Sequence, residues 1–86
     1  MEIEYKNIGT DEVKEVLRKL SRKKISFIIT TEDNTELAFE HSDKFNFREY
    51  YLYVQVAGRI FDFRVEYKKV RNMFDVDNAV NYKVVV

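Results

Sequence analysis

Glu66 and Lys68 are the residues whose types and spacing come closest to a catalytic arrangement. With an upstream aspartate, Glu66 could hold a divalent cation, and Lys68 could polarise the attacking water. Both side chains would lie on one face of a strand, because strand side chains alternate. The same Glu-x-Lys spacing also occurs at residues 4–6 and 12–14. The pattern is therefore common by chance, and we predict a protein that is not an enzyme.

The other residues that could carry chemistry form no complete site. His41 is the only histidine, and its neighbour Ser42 would point to the opposite face of a strand. Residues 75–78 begin like a calcium-binding loop, but the glycine and the final glutamate of such a loop are missing. The chain has no cysteine, which excludes disulfides and thiolate metal sites. We predict no catalytic residue, no metal site and no cofactor.

Tyrosines on a predicted hairpin are the most prominent candidates for binding. A two-residue turn at Ala57-Gly58 would place Leu52 opposite Phe63 and Tyr50 opposite Val65. The core side of this hairpin is then nearly all apolar: Tyr50, Leu52, Val54, Val56, Phe61, Phe63, Val65 and Tyr67. The outer side would carry Tyr53 opposite Asp62 and Tyr51 opposite Arg64.

These outer residues and an acidic segment are the predicted binding residues. Tyrosine and arginine are favoured at the centres of protein interfaces, so we predict that Tyr51, Tyr53, Asp62 and Arg64 contact another protein. The segment from Glu32 to Glu49 is acidic and would suit a basic partner. Its predicted contact residues are Glu36 and Glu40.

The basic residues favour a first alternative, a nucleic-acid-binding module. It would use the basic end of the helix, residues 18–24, together with residues 59–71. The formal net charge of zero argues against it, since nucleic-acid binders normally carry a basic excess. A second alternative comes from Glu66 and Lys68, because an Asp…Glu-x-Lys pattern resembles that of metal-dependent nucleases. The resemblance implies a small nuclease that needs a divalent cation.

The elements that must position these residues follow from hydrophobic periodicity. Residues 10–23 predict an amphipathic helix with Thr10 as its N-cap and an apolar stripe of Val13, Val16, Leu17 and Leu20. From residue 25 the apolar period changes to two, which predicts strands. The predicted strands are residues 3–5, 25–31, 36–41, the two arms of the hairpin and 81–86, with 42–47 as a less regular connection. Residues 68–79 fit a strand, a short helix or a loop.

The whole chain, residues 1–86, is predicted to be one α+β domain. One N-terminal helix would pack on a mainly antiparallel sheet of about four to six strands, with a small barrel similar to Sm-like or SH3-like proteins as the alternative. We predict a cytoplasmic protein-interaction module without membrane segments. The abundance of residues with AT-rich codons favours a phage- or mobile-element-encoded inhibitor or regulator. Homodimerisation would use residues 81–86 as an exposed edge strand.

Overall fold

The computed structural model describes residues 2–40, 43–55 and 62–86. It has one α-helix, two short 3-10 turns and eight strands in its described part. The bounds are β1 Glu4–Gly9, a 3-10 turn Thr10–Glu12, α1 Val13–Arg22, β2 Phe27–Thr31, β3 Glu36–Phe39, β4 Lys44–Phe47, β5 Tyr51–Gln55, β6 Asp62–Glu66, a second 3-10 turn Tyr67–Lys69, β7 Val70–Asp75 and β8 Val80–Val85. The predicted α+β class is confirmed.

The strands form two sheets, where the sequence predicted one. The larger sheet has the strand order β1-β8-β7-β2-β3, and the smaller has β4-β5-β6. Each described pairing is antiparallel except that of β1 with β8, which is parallel. The described strands therefore lie in two sheets, and the barrel alternative stays a prediction.

A shared apolar core joins the helix to both sheets. From α1 it takes Val13, Leu17 and Leu20, all nearly inaccessible to solvent. The larger sheet contributes one face, with Phe27, Ile29, Phe39, Met73, Tyr82 and Val84 among its buried residues. Leu52, Val54 and Val65 come from the smaller sheet. Aromatic contacts tie the layers together, since the ring of Phe45 on β4 lies 5.6 Å from Phe27 and 5.9 Å from Phe39.

The apolar stripe of the helix is confirmed, but its start differs from the prediction. Thr10 is not the N-cap of the helix, because Thr10–Glu12 forms a 3-10 turn that Gly9 precedes. The backbone N–H of Gly9 donates a 2.7 Å hydrogen bond to Glu12 Oε2. A glutamate that reaches back to a free N–H satisfies one of the unpaired donors at a helix start. The hydroxyl of Thr10 is not needed for that contact.

The pairing of strands far apart in the sequence determines the structure of residues 68–86. Residues 68–79, left open by the sequence, divide into a 3-10 turn, β7 and a turn before β8. The prediction that residues 81–86 form an exposed edge is wrong. β8 lies between β1 and β7 and pairs with both, so its backbone groups already have partners on each side.

Candidate protein-binding surface

The hairpin of β5 and β6 has a different register from the predicted one. Leu52 lies opposite Val65 and Val54 opposite Phe63, a shift of two residues. The Ala57-Gly58 turn, with Val56 and Phe61, lies outside the described residues. Strand side chains alternate with a period of two, so a shift of two leaves every side chain on its predicted face. The apolar pattern thus predicted correctly which face of the sheet each side chain lies on, but not which residue lies opposite it on the neighbouring strand.

Tyr50 is the one described residue of the predicted core side that is strongly exposed. Its side chain is 73% accessible, because β5 begins only at Tyr51 and Tyr50 lies in the preceding bend. Leu52, Val54, Val65 and Tyr67 are buried as predicted. The hydroxyl of Tyr67 donates a 2.8 Å hydrogen bond to the backbone oxygen of Arg48. Burial raises the pKa of this hydroxyl.

The outward-facing side of β5 and β6 brings four of the predicted binding residues together. We call Tyr51, Tyr53, Asp62 and Arg64 the tyrosine face. In register, Tyr53 lies opposite Arg64 and Tyr51 opposite Glu66, so the predicted direct pairs are wrong. The predicted contacts nevertheless form along the diagonals. Tyr53 donates a hydrogen bond to Asp62 Oδ2, and the Arg64 guanidinium lies 5.3 Å from the centre of the Tyr51 ring.

These diagonal contacts hold both rings in place on a solvent-facing sheet. Both tyrosines are half-buried, and Asp62 and Arg64 beside them are exposed. The hydrogen bond from Tyr53 to the Asp62 carboxylate stabilises the protonated phenol and raises the pKa of Tyr53. The Arg64 contact has the geometry of a cation–π interaction. These two contacts therefore restrain both rings within the chain itself.

A shallow cleft borders the tyrosine face and was not predicted. It has a volume of about 250 Å³ and lies between the β2–β3 turn and the end of β6. Its charged lining consists of Glu32, Asp33, Arg64, Glu66 and Lys69. The two sides are about thirty positions apart in the chain, and no local pattern connects them. Only the packing of the two sheets brings them together.

Salt bridges and hydrogen bonds around the cleft neutralise much of its charge. Lys69 Nζ lies 2.9 Å from Glu66 Oε2, which lowers the pKa of Glu66 and raises that of Lys69. Arg71 lies 3.4 Å from Glu32. The pKa of Asp33 is lowered because its carboxylate accepts hydrogen bonds from the Thr31 hydroxyl and the Thr35 backbone. The salt bridge of Arg71 with Glu32 thus joins the basic residues of 62–71 to the acidic residues of 32–36.

The two predicted acidic contact residues lie apart from the tyrosine face. Glu36 is on β3 of the larger sheet and lines a separate cleft on the outer face of that sheet. Glu40 follows β3, and its backbone N–H donates a 2.9 Å hydrogen bond to the carboxylate of Asp43. The predicted binding residues therefore do not form one continuous surface.

Glu66 and Lys68 are not arranged as the metal-dependent nuclease alternative requires. The strand β6 ends at Glu66, and Lys68 lies in the following 3-10 turn, so the two do not alternate along one strand. Within residues 2–40, 43–55 and 62–86 no three acidic or histidine side chains are grouped to hold a metal ion. His41 and Ser42 are outside those ranges. In the same ranges, no helix is both long enough and apolar enough to cross a membrane.

No protein-family model matches the chain, and no curated protein or solved structure matches it.

Proposed function

We propose that this chain is a non-enzymatic protein-interaction module that binds another protein through the tyrosine face. The observation that carries the proposal is the pair of half-buried rings fixed by Asp62 and Arg64 on the solvent side of the smaller sheet. Tyrosine and arginine supply much of the binding energy in protein interfaces. Rings that are already ordered lose little conformational entropy on binding.

The charges of the tyrosine face and of the cleft beside it indicate which kind of partner surface would fit. Arg64 and Asp62 have opposite signs and lie beside the two rings, so a partner should present apolar groups flanked by charges of both signs. The module acts by covering that surface, as an inhibitor or a regulator of the protein that it binds. Exposed ion pairs around the cleft contribute little affinity but favour the correct orientation.

Substitution of Tyr53 tests the proposal directly. The tagged chain captures proteins from the cells that encode it, and quantitative mass spectrometry compares the wild type with Tyr53→Ala. We expect the specific partner to be lost at least tenfold with Tyr53→Ala, because truncation of an anchor residue costs about 2 kcal/mol or more. Arg64→Glu should have a similar effect, since it removes the cation above Tyr51.

The control is Tyr50→Ala, which removes an exposed tyrosine that lies before β5 and outside the tyrosine face. It should leave the captured partner unchanged. Melting temperatures of all variants should stay within a few degrees of the wild type, because none of the substituted side chains is in the core. Equal loss of capture in Tyr50→Ala, or a partner that nuclease treatment of the lysate removes, would contradict a protein contact through the tyrosine face.

A further inference from the structure

The strand β1 is an open edge of the larger sheet. It pairs with β8 on one side, and none of the other described strands pairs with its second side. Residues 4–7 are exposed, and the side chain of Tyr5 is 71% accessible. An open edge presents unpaired N–H and C=O groups that can accept a further strand.

The backbone of β1 shows which residues face outwards at this edge. The N–H of Glu4 donates a 2.9 Å hydrogen bond to Ala79, so the backbone groups of Glu4 are directed towards β8. Successive residues of a strand direct their N–H and C=O groups to opposite sides. The backbone groups of Ile3, Tyr5 and Asn7 are therefore directed away from β8.

We propose that two copies of this chain pair through β1 in antiparallel orientation, with Tyr5 opposite Tyr5 of the other copy. In this register Ile3 lies opposite Asn7, and three residues of each strand offer outward N–H and C=O groups to the same residues of the other strand. An antiparallel pair of this kind forms two hydrogen bonds at each such position. The interface is isologous and closed, so it leads to a dimer and leaves β1 without a free edge.

Charge complementarity selects this register over its neighbours. With Tyr5 opposite Tyr5, Glu4 of each copy lies opposite Lys6 of the other, at positions where cross-strand side chains approach most closely. A shift in one direction places Glu4 opposite Glu4, and a shift in the other places Lys6 opposite Lys6. Like charges directly opposite each other are unfavourable. Only the central register pairs both charges with opposite ones.

In the monomer, Glu4 and Lys6 form a salt bridge with each other, and the dimer would replace it with salt bridges between the two copies. Lys6 Nζ lies 3.7 Å from Glu4 Oε1 within one strand, and both side chains are about half exposed. The same register would bring Glu2 opposite Ile8, which lines a cleft together with Lys19 and Arg22. The same cleft is also lined by Glu12 and Glu15, so the argument for the register rests on the Glu4–Lys6 contacts. This inference does not depend on the proposed function, because the tyrosine face belongs to the other sheet.

A charge exchange tests the register. Sedimentation velocity over a concentration series measures the dimer dissociation constant. Lys6→Glu turns both Glu4–Lys6 contacts into repulsions and should raise the constant about tenfold or more, since each pair is worth up to about 1 kcal/mol. The double variant Glu4→Lys/Lys6→Glu restores opposite charges and should return the constant to within about threefold of the wild type. Lys44→Glu, on an edge strand of the smaller sheet, is the control and should leave it unchanged.

A backbone variant tests the strand pairing itself. Tyr5→Pro removes an N–H that is directed away from β8, so the parallel pairing with β8 keeps its hydrogen bonds. We expect a folded monomer at concentrations where the wild type is a dimer, with circular dichroism as the check on folding.

Cross-linking provides a readout that does not depend on affinity. The chain has no cysteine, so Glu4→Cys mixed with Lys6→Cys should form a mixed disulfide under mild oxidation, because directly opposite residues have Cα atoms about 4.5–5.5 Å apart. Glu2→Cys mixed with Lys6→Cys should not. A wild type that stays monomeric at millimolar concentration, a dimer indifferent to Lys6→Glu, or equal cross-linking of both mixtures would overturn the proposal.

Discussion

On the tyrosine face, the hydrogen bond from Tyr53 to Asp62 changes the ionisation of a single residue, Tyr53. A phenol that donates to a carboxylate resists ionisation, because loss of its proton would place two negative charges side by side. The pKa of Tyr53 is accordingly raised, with the hydrogen bond to Asp62 as its main cause. The contact that raises this pKa is present while the phenol is protonated and is lost as the pH rises through that raised value.

This contact predicts that Tyr53 ionises only above the ordinary pKa of a tyrosine. We expect the absorbance step that Tyr53→Phe removes from an alkaline titration to lie above the ordinary tyrosine value of 10.0. Asp62→Asn should move that step to lower pH, since the amide carries no charge to repel the phenolate. A step at or below the ordinary value in the wild type would show that the two side chains are not in contact in solution.

The sequence was sufficient to place Tyr51 and Tyr53 beside Asp62 and Arg64, because alternation alone assigns strand side chains to faces. It could not supply the register, which differs by two residues from the predicted one. Nor could it place Glu36 and Glu40, since Glu36 lies on a strand of the larger sheet and Glu40 directly follows that strand. The division into two sheets depends on packing between segments far apart in the chain, for which a single sequence carries no local signal.

Lys24 closes the helix in a conformation that normally favours glycine. Its φ is 56°, in the left-handed region. The N–H of Lys24 donates to Ser21 and that of Ile25 to Leu20, each at 3.1 Å. This pair of bonds, with buried Leu20 and Ile25, is the Schellman arrangement of a helix end. The sequence placed the helix end at the correct residues, yet it offered no glycine to indicate this geometry.

Lys24→Gly should raise the free energy of unfolding by about 0.5–1 kcal/mol, because glycine adopts positive φ without the steric cost of a Cβ atom. Lys24→Ala is the matched control, since alanine loses the charge but keeps the Cβ atom. Urea denaturation measures both. An equal gain in the free energy of unfolding for Lys24→Ala would show that loss of the charge, and not the backbone conformation, causes the effect.

β1 is the element that the sequence described least well. Its partner β8 lies more than seventy residues away, and the pairing is parallel whereas the other described strand pairs are antiparallel. A short N-terminal strand was predicted at residues 3–5, but the structure extends it to Gly9 and places it at the edge where residues 81–86 had been expected. Interior strands and edge strands can have the same apolar pattern, so neighbouring strands decide which is which.

In the described part of the molecule, two sheets and one helix share a cluster of buried side chains. Phe27, Leu52 and Leu17 come from the three different parts and belong to the same cluster. The smaller sheet has only three strands, and its inner face has no other described core of its own. A three-stranded sheet of this size gains its stability mainly from packing against another layer. We therefore expect the two sheets to unfold together.

Hydrogen exchange after a mild core substitution can measure this coupling. Ile29→Val removes one methylene from the larger sheet and should lower the free energy of unfolding by about 0.5–1.5 kcal/mol. If unfolding is cooperative, the exchange protection of Leu52 and Val54 in the smaller sheet falls by the same amount, although neither residue is altered. The exposed substitution Val76→Ala should change protection in both sheets by less than about 0.5 kcal/mol. A loss of protection confined to β2 and its neighbours would instead identify the smaller sheet as a separately unfolding unit, and the tyrosine face would then belong to a part of the molecule that can open by itself.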